Sequence, residues 1–439
     1  MDSDRERRSR RAVAAAIAAV EALGEGRPLR LALADAFAEV DSKPGPKLGP
    51  KERRHVAVAA RGVARWLRTC DVALAHARAP RAIPADRALL RYLAWRVAVL
   101  DEAAEPALRD LALPGPRRPR AVSDAEVARV AKALPRPGPQ GPATVLPDGA
   151  TVACARDPVV ALALRYSVPD LLAAKLLEAL DPAEAARCLA ALDEEPRLAL
   201  RVNAARATRD AVLAALARAG VAAEPGDDPL AIRVADRARL FDAPPFRAGL
   251  VEVQDEGSQA VVALCAPRGG ERWLDLCAGT GGKALALAAL GARVVAWDAS
   301  ARRLADLPKR ARRAALAVEV AREPPSGAYD GVLVDAPCSG SGALAREPDA
   351  RWRIDAPSLA RLAVAQDEVL ARGAALVRPG GALVYATCSL FREEGEARVA
   401  ALLARGGFAL EREARRWPQR DPGAGFYLAR LRRGAAHAS

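Results

Sequence analysis

The stretch Trp273-Leu274-Asp275-Leu276-Cys277-Ala278-Gly279-Thr280-Gly281-Gly282-Lys283 decides the fold. Its apolar first half predicts a buried strand, its three glycines predict a turn, and the apolar run Ala284 to Leu290 predicts a helix. Glycines in such a turn adopt backbone conformations closed to other residues and let a ligand approach, while the helix start behind them offers free N–H groups. A second predicted strand, Arg293 to Trp297, ends in Asp298, nineteen residues after Gly279. That is the spacing at which an acid meets ribose hydroxyls in doubly wound folds. The pattern points to a nucleotide-type ligand; the plainer alternative is an ordinary strand-to-helix turn with a solvated Asp298.

Two later segments repeat the theme. Val332-Leu333-Val334-Asp335-Ala336-Pro337-Cys338-Ser339-Gly340-Ser341-Gly342 and Ala382-Leu383-Val384-Tyr385-Ala386-Thr387-Cys388-Ser389 are each an apolar strand delivering ionisable residues at its C-terminal end. In an open parallel sheet those ends converge on one crevice, so Asp298, Asp335, Cys338 and Cys388 are expected to face a common pocket. Lys283 stands out as well. The chain has 60 arginines and seven lysines, so an ammonium inside the glycine turn suggests a point-charge role.

Composition narrows the chemistry. The three histidines, His55, His76 and His437, leave no imidazole in the region of these strands, which argues against a Ser-His-Asp hydrolase. The seven cysteines form no CxxC pair and no even disulfide framework, so neither a metal nor bridges are expected. No apolar run is long enough to cross a bilayer, and the first residues lack the apolar core of a secretory signal, so a cytoplasmic protein with no membrane partner is expected. The net charge of +13 favours a polyanionic partner, the alternative being a general bias toward arginine.

Periodicity divides the chain into an all-helical region (1–135), a proline-rich linker (136–157), a small α+β module (158–248) and an α/β domain (249–439). In the first region Val13, Ile17, Val20 and Leu23 share one helix face, as do Val56, Val63, Trp66 and Leu67. The side opposite the second set carries Arg54, Arg61, Arg65 and Arg68, which reads as an RNA-binding face or a solvated one. Eight prolines from Pro114 to Pro147 punctuate the next segment, with one short helix, Asp124 to Leu134, between them. Thr208 is the expected N-cap of a helix ending before Gly220. Beyond Asp298 a basic helix carries Arg302, Arg303, Lys309, Arg310, Arg312 and Arg313, and the chain closes on a strand, Phe426 to Leu431, after a hairpin-forming Gly423-Ala424-Gly425. The whole predicts an α/β, Rossmann-like doubly wound domain preceded by an α+β module and a helical bundle.

Two thiols near an acid and a nucleotide-type site suit one chemistry in particular. C5 of a pyrimidine is a poor nucleophile, but a thiolate adding to C6 turns it into an enamine carbon able to attack an electrophilic methyl group. Cys388, Asp335, S-adenosylmethionine in the glycine turn, and Cys338 or a water beside it would supply the parts. A base inside a helix would have to be turned out, or be presented in a single strand.

These segments, with Pro348-Asp349-Ala350-Arg351-Trp352 and the upstream Tyr166-Ser167-Val168-Pro169, Leu200-Arg201-Val202-Asn203 and Val253-Gln254-Asp255-Glu256, resemble the motifs of the Sun/RsmB-like family of RNA cytosine-C5 methyltransferases. The helical N-terminus is similar to the NusB-like domain of that family's bacterial ribosomal members. The resemblance implies methylation of cytidine C5 in ribosomal RNA, of the 16S type, by a monomer that needs no metal. It implies that Cys388 is the nucleophile, that Cys338 assists product release, and that Asp335 contacts the cytosine and the cofactor side. It also implies that Cys277, Ala278, Gly279, Thr280, Gly281, Gly282, Lys283 and Asp298 hold S-adenosylmethionine. The chain departs from the family pattern twice: Gly279-Thr280 stands where Ala-Pro is usual, and Ala321-Arg322-Glu323-Pro324 follows the third strand where an acid is usual. Two other readings remain at this stage. One is a DNA cytosine methyltransferase attacking through Cys338; the other is a non-catalytic ribosome-assembly or antitermination factor.

Overall fold

In the computed structural model, residues 2–77, 79, 84–104, 107–108, 123–134, 157–235 and 239–435 are described. Contacts divide the chain into two units: Met1–Leu189 with Glu347–Ile354, and Ala190–Arg346 with Asp355–Ser439. Residues 136–156 of the proline-rich linker lie outside the described residues, as does His437.

The first unit is helical. Val13, Ile17 and Val20 of helix Asp2–Gly24 pack with Val56 and Val63 of helix Pro50–Arg65 and with Leu90 and Leu93 of helix Pro84–Ala94. The predicted second helix breaks at Trp66, and Leu67–His76 continues as a separate one. Its arginine stripe is not a free face: Arg54 is exposed, but Arg61, Arg65 and Arg68 are half-buried, and Arg68 Nη1 donates to Val168 O (2.8 Å) and Asp170 Oδ1 (2.7 Å). Helix ends leave carbonyls without partners, and here two are met by residues from far along the chain. Trp352 Nε1 donates to Ala64 O (2.6 Å) and the buried Arg351 donates to Arg65 O (3.2 Å).

The second unit holds two sheets. Strands β1 (Leu198–Val202), β2 (Ala223–Pro225), β3 (Ala231–Val234) and β4 (Val251–Val253) form an antiparallel sheet in the order β2-β3-β1-β4, with Thr208 capping helix Arg209–Arg218 as expected. The larger sheet contains β5 (Arg272–Asp275), β6 (Arg293–Ala296), β7 (Val318–Val320), β8 (Tyr329–Asp335), β9 (Val377–Thr387), β10 (Phe408–Arg416) and β11 (Phe426–Arg433). Its order is β10-β11-β9-β8-β5-β6-β7; β5 to β9 run parallel, and β10 and β11 are antiparallel additions. The strand order reverses at β5, where a doubly wound sheet opens its ligand crevice.

Two features differ from the sequence reading. β10 was not foreseen, because seven of its nine residues are polar or small and its central stretch is exposed, so it lacks the alternation that marks a half-buried strand. The basic helix begins only at Leu307, leaving Arg302 and Arg303 in turns, while Arg310 and Arg313 pair with the buried Glu252 of β4.

The pairing of β5 with β8 sets Trp273 opposite Gly331, where a Cβ would overlap the fully buried indole. Gly331→Ala should therefore cost about 1–3 kcal/mol through overpacking and lower the melting temperature. Gly269→Ala, whose Cβ meets nothing within 4 Å, should leave it unchanged in the same thermal scan.

Candidate active site

The glycine turn is shaped by its backbone. Gly279 and Gly281 take φ of +54° and +79°, and a Cβ on Gly281 would run into Leu307. Asp298, placed by the end of β6, fastens the turn: its Oδ2 accepts from Gly279 N and its Oδ1 from Ser300 N, each at 2.9 Å. Each oxygen keeps a further lone pair. From the small sheet, the buried Arg201 of β1 donates to Gly282 O at 2.9 Å and to Gln254 Oε1 at 2.7 Å. The turn is thus held from both sides, with Thr280 exposed at its tip and a Cβ on Gly282 meeting nothing closer than 3.7 Å.

Asp275, the last residue of β5, is 1% exposed, and neither carboxylate oxygen has a hydrogen-bond partner among the described residues. Burial pushes its carboxyl up to about 7, against the opposing pull of Lys283. Orphan acceptors beside a glycine turn suit a ligand with an ammonium group, and a neighbouring acid with spare lone pairs suits ribose hydroxyls. S-adenosylmethionine has both, so the residues present fit it.

Lys283 and Asp335 form a half-buried pair: Nζ lies 2.6 Å from Asp335 Oδ2 and 3.3 Å from Ser258 Oγ, over the Phe426 ring. Burial lowers the ammonium's pKa, but the charge and hydrogen bond of Asp335 outweigh it and leave Lys283 above its ordinary value. It is a fixed cation and not a proton acceptor.

The two cysteines meet. Cys338 and Cys388 are both half-buried, with Sγ atoms 3.3 Å apart. The Cys338 thiol is held well above its ordinary value by its hydrogen bond to Cys388, by burial and by the charge of Glu394. Cys277, which the sequence grouped with the cofactor turn, has its thiol pushed up to about 12, chiefly by burial, and is not poised for nucleophilic attack. Cys70, Cys188 and Cys265 are buried filler.

Sequence reasoning missed the polar network behind the thiols: Ser339, Ser341, Ser389, Gln366 and Glu394. The serines beside each cysteine were the available signal. A cavity of about 290 Å³ lies nearby, lined by residues that include Arg197, Arg233, Asp255, Glu256, Arg346 and Ala343. None of Asp298, Asp335, Cys338 and Cys388 lines it, so the pocket expected to join those four is not this one. Glu323 is exposed just past β7.

Known proteins share this architecture. Residues 262–432 match the family described as 16S rRNA methyltransferase RsmB/F, and residues 168–239 match the ferredoxin-like domain of RsmF/B-like methyltransferases. The chain is 36% identical over 272 residues to the ribosomal RNA small subunit methyltransferase B of Erwinia tasmaniensis, a match covering 57% of this chain and 63% of that one. The matched stretch is therefore less than two thirds of that relative's length. Among solved structures, PH0851 superposes with a TM-score of 0.72 at 23% identity, covering 96% of this chain and 98% of that one. A methyltransferase homolog protein from Pyrococcus horikoshii gives 0.57 at 22% identity, covering 63% and 98%. At these identities both show the fold alone.

A carboxyl raised from 3.8 to about 7 on folding keeps a proton that the unfolded chain releases. Its stability contribution is full below pH 4, is lost as pH rises through that window, and is level above 7. Asp275→Asn removes the loss. Its melting temperature relative to the parent should climb from pH 5 to pH 7 and stay constant from 7 to 9; a difference that ignores pH would contradict the assignment.

Proposed function

We propose, since this chain belongs to the RsmB/F family, that it methylates C5 of a cytidine in small-subunit ribosomal RNA through a covalent bond between Cys388 and C6 of the base. The observation that carries the reading is the meeting of two thiols, 3.3 Å apart, at the ends of neighbouring strands, with the Lys283–Asp335 pair on the cofactor side.

S-adenosylmethionine, held by Asp275, by the backbone of Cys277, Ala278, Gly279, Thr280, Gly281 and Gly282, and by Asp298, supplies an electrophilic methyl group when bound. The chain's own residues do the rest. Cys388 Sγ adds to C6 and breaks the C5–C6 π bond, leaving C5 able to form its bond to the methyl carbon. Asp335 accepts from the N4 amino group of the cytosine, and the Lys283 ammonium paired with it offsets the negative charge that the addition places on the N3 side of the ring. A water held beside the Cys338 thiol takes the C5 proton. The electron pair of that C–H bond restores the double bond, and Cys388 leaves as a thiolate. The hydrogen bond to Cys388 and burial hold the Cys338 thiol above its ordinary value, which favours its neutral form.

The target nucleotide has to leave any helix to reach these strand ends, so a loop or a flipped-out cytidine is the substrate form. The basic segment around Arg302, Lys309 and Arg312, all exposed, provides cations for the adjoining phosphates.

Cys388→Ala should abolish methyl transfer to small-subunit ribosomal RNA while calorimetry shows S-adenosylmethionine binding unchanged; undiminished methylation would refute the reading. Cys338→Ala should instead accumulate a protein–RNA adduct visible as a denaturation-resistant band. The same band formed on a DNA oligonucleotide but not on RNA would reassign the substrate.

A further inference from the structure

Glu394 lies in the short turn Arg392–Glu394, fully buried, and among the described residues no lysine or arginine forms an ion pair with it. Placing a carboxylate there is costly unless donors surround it. Four do. Its Oε1 accepts from Ser339 N (2.8 Å) and Gln366 Nε2 (3.0 Å), and its Oε2 accepts from Ser339 Oγ (2.5 Å) and Ser389 Oγ (2.6 Å). Its backbone carbonyl accepts from Tyr385 Oη (2.9 Å) on β9. Ser339 follows Cys338 and Ser389 follows Cys388, so one carboxylate ties together the residues next to both thiols.

The segments concerned have no ladder to hold them. Past β8 the chain runs irregularly through Pro337 to Gly340, and past β9 through Cys388 to Phe391. Gln366, on helix Ala356–Leu376, adds a second tie by donating to Pro337 O at 2.9 Å.

We infer that Glu394 is the positioning residue that fixes the Cys338 and Cys388 loops against each other, so that both sulfurs reach one base. The inference rests on the reading above, in which both thiols act on the cytidine. Its charge also adds, after the Cys388 hydrogen bond, burial and the charge of Cys388, to the effects that hold the Cys338 thiol above its ordinary value.

The test uses the full chain with Glu394→Ala, Glu394→Gln and Ser389→Ala. Glutamine keeps one oxygen for the two N–H donors and offers an amide that the two serine hydroxyls can accept, so it preserves the clamp without the charge. Glu394→Ala should lower kcat by roughly tenfold or more, with the KM for S-adenosylmethionine and its calorimetric affinity unchanged. It should also suppress the adduct formed in a Cys338→Ala background. Glu394→Gln should recover kcat to within a few-fold of the parent. Parental kcat in Glu394→Ala would overturn the inference, as would a Gln variant as slow as the Ala variant with both melting like the parent. If the Ala variant fails to fold, Ser389→Ala decides: a lowered kcat at unchanged cofactor affinity supports the clamp, and parental kcat overturns it. Cys388→Ala separates the two levels. Methylation by that variant sinks the thiol chemistry itself, whereas an inactive Cys388→Ala beside a fully active Glu394→Ala sinks only the role of Glu394.

Discussion

The parallel pairing of β8 with β9 sets Asp335 opposite Ala386, and the rest of the site depends on that register. From it, Cys338 lies three residues past the last paired position of one strand and Cys388 two past that of the other. A slip of one residue would turn each side chain to the other face of the sheet and separate the sulfurs. The register is secured by apolar residues buried on both faces, Val332 to Val334 on β8 and Leu383 to Ala386 on β9. A core of ordinary hydrocarbon therefore sets a distance of chemical consequence.

Electrostatics then divides the labour among groups that hydrophobic packing has brought close. Lys283 stays charged because Asp335 answers it, while Asp275, one strand over, has no such answer and sits near neutrality. Glu394 is kept in place by four donors, and its charge bears on Cys338. Buried ionisable groups are expensive, and their concentration at the ends of β5, β8 and β9 marks where the fold does chemistry rather than packing.

Much of this was legible in the sequence, for identifiable reasons. The glycine turn, Asp298 and the two cysteine strands announce themselves because strand patterning, turn chemistry and strand-end position are local properties. The network around Glu394 was not legible, since an acid in Arg392-Glu393-Glu394-Gly395-Glu396 looks like any solvated helix start until tertiary packing closes over it. The arginine stripe misled for the mirror-image reason. A charged helix face reads as solvent-exposed, yet Arg68 is spent on Val168 O and Asp170. Nor could any local pattern show that Glu347–Ile354 would join the helical unit, with Arg351 and Trp352 satisfying the end of helix Pro50–Arg65.

The central claim is about which sulfur bonds to the base. An RNA carrying 5-fluorocytidine at the target position cannot lose a proton from C5, so the intermediate should stay attached to the unmutated protein after methyl transfer. Proteolysis and mass spectrometry then locate the nucleotide. The account predicts one methylated fluorocytidine on the peptide containing Cys388; a nucleotide on Cys338, or no covalent adduct at all, would contradict it.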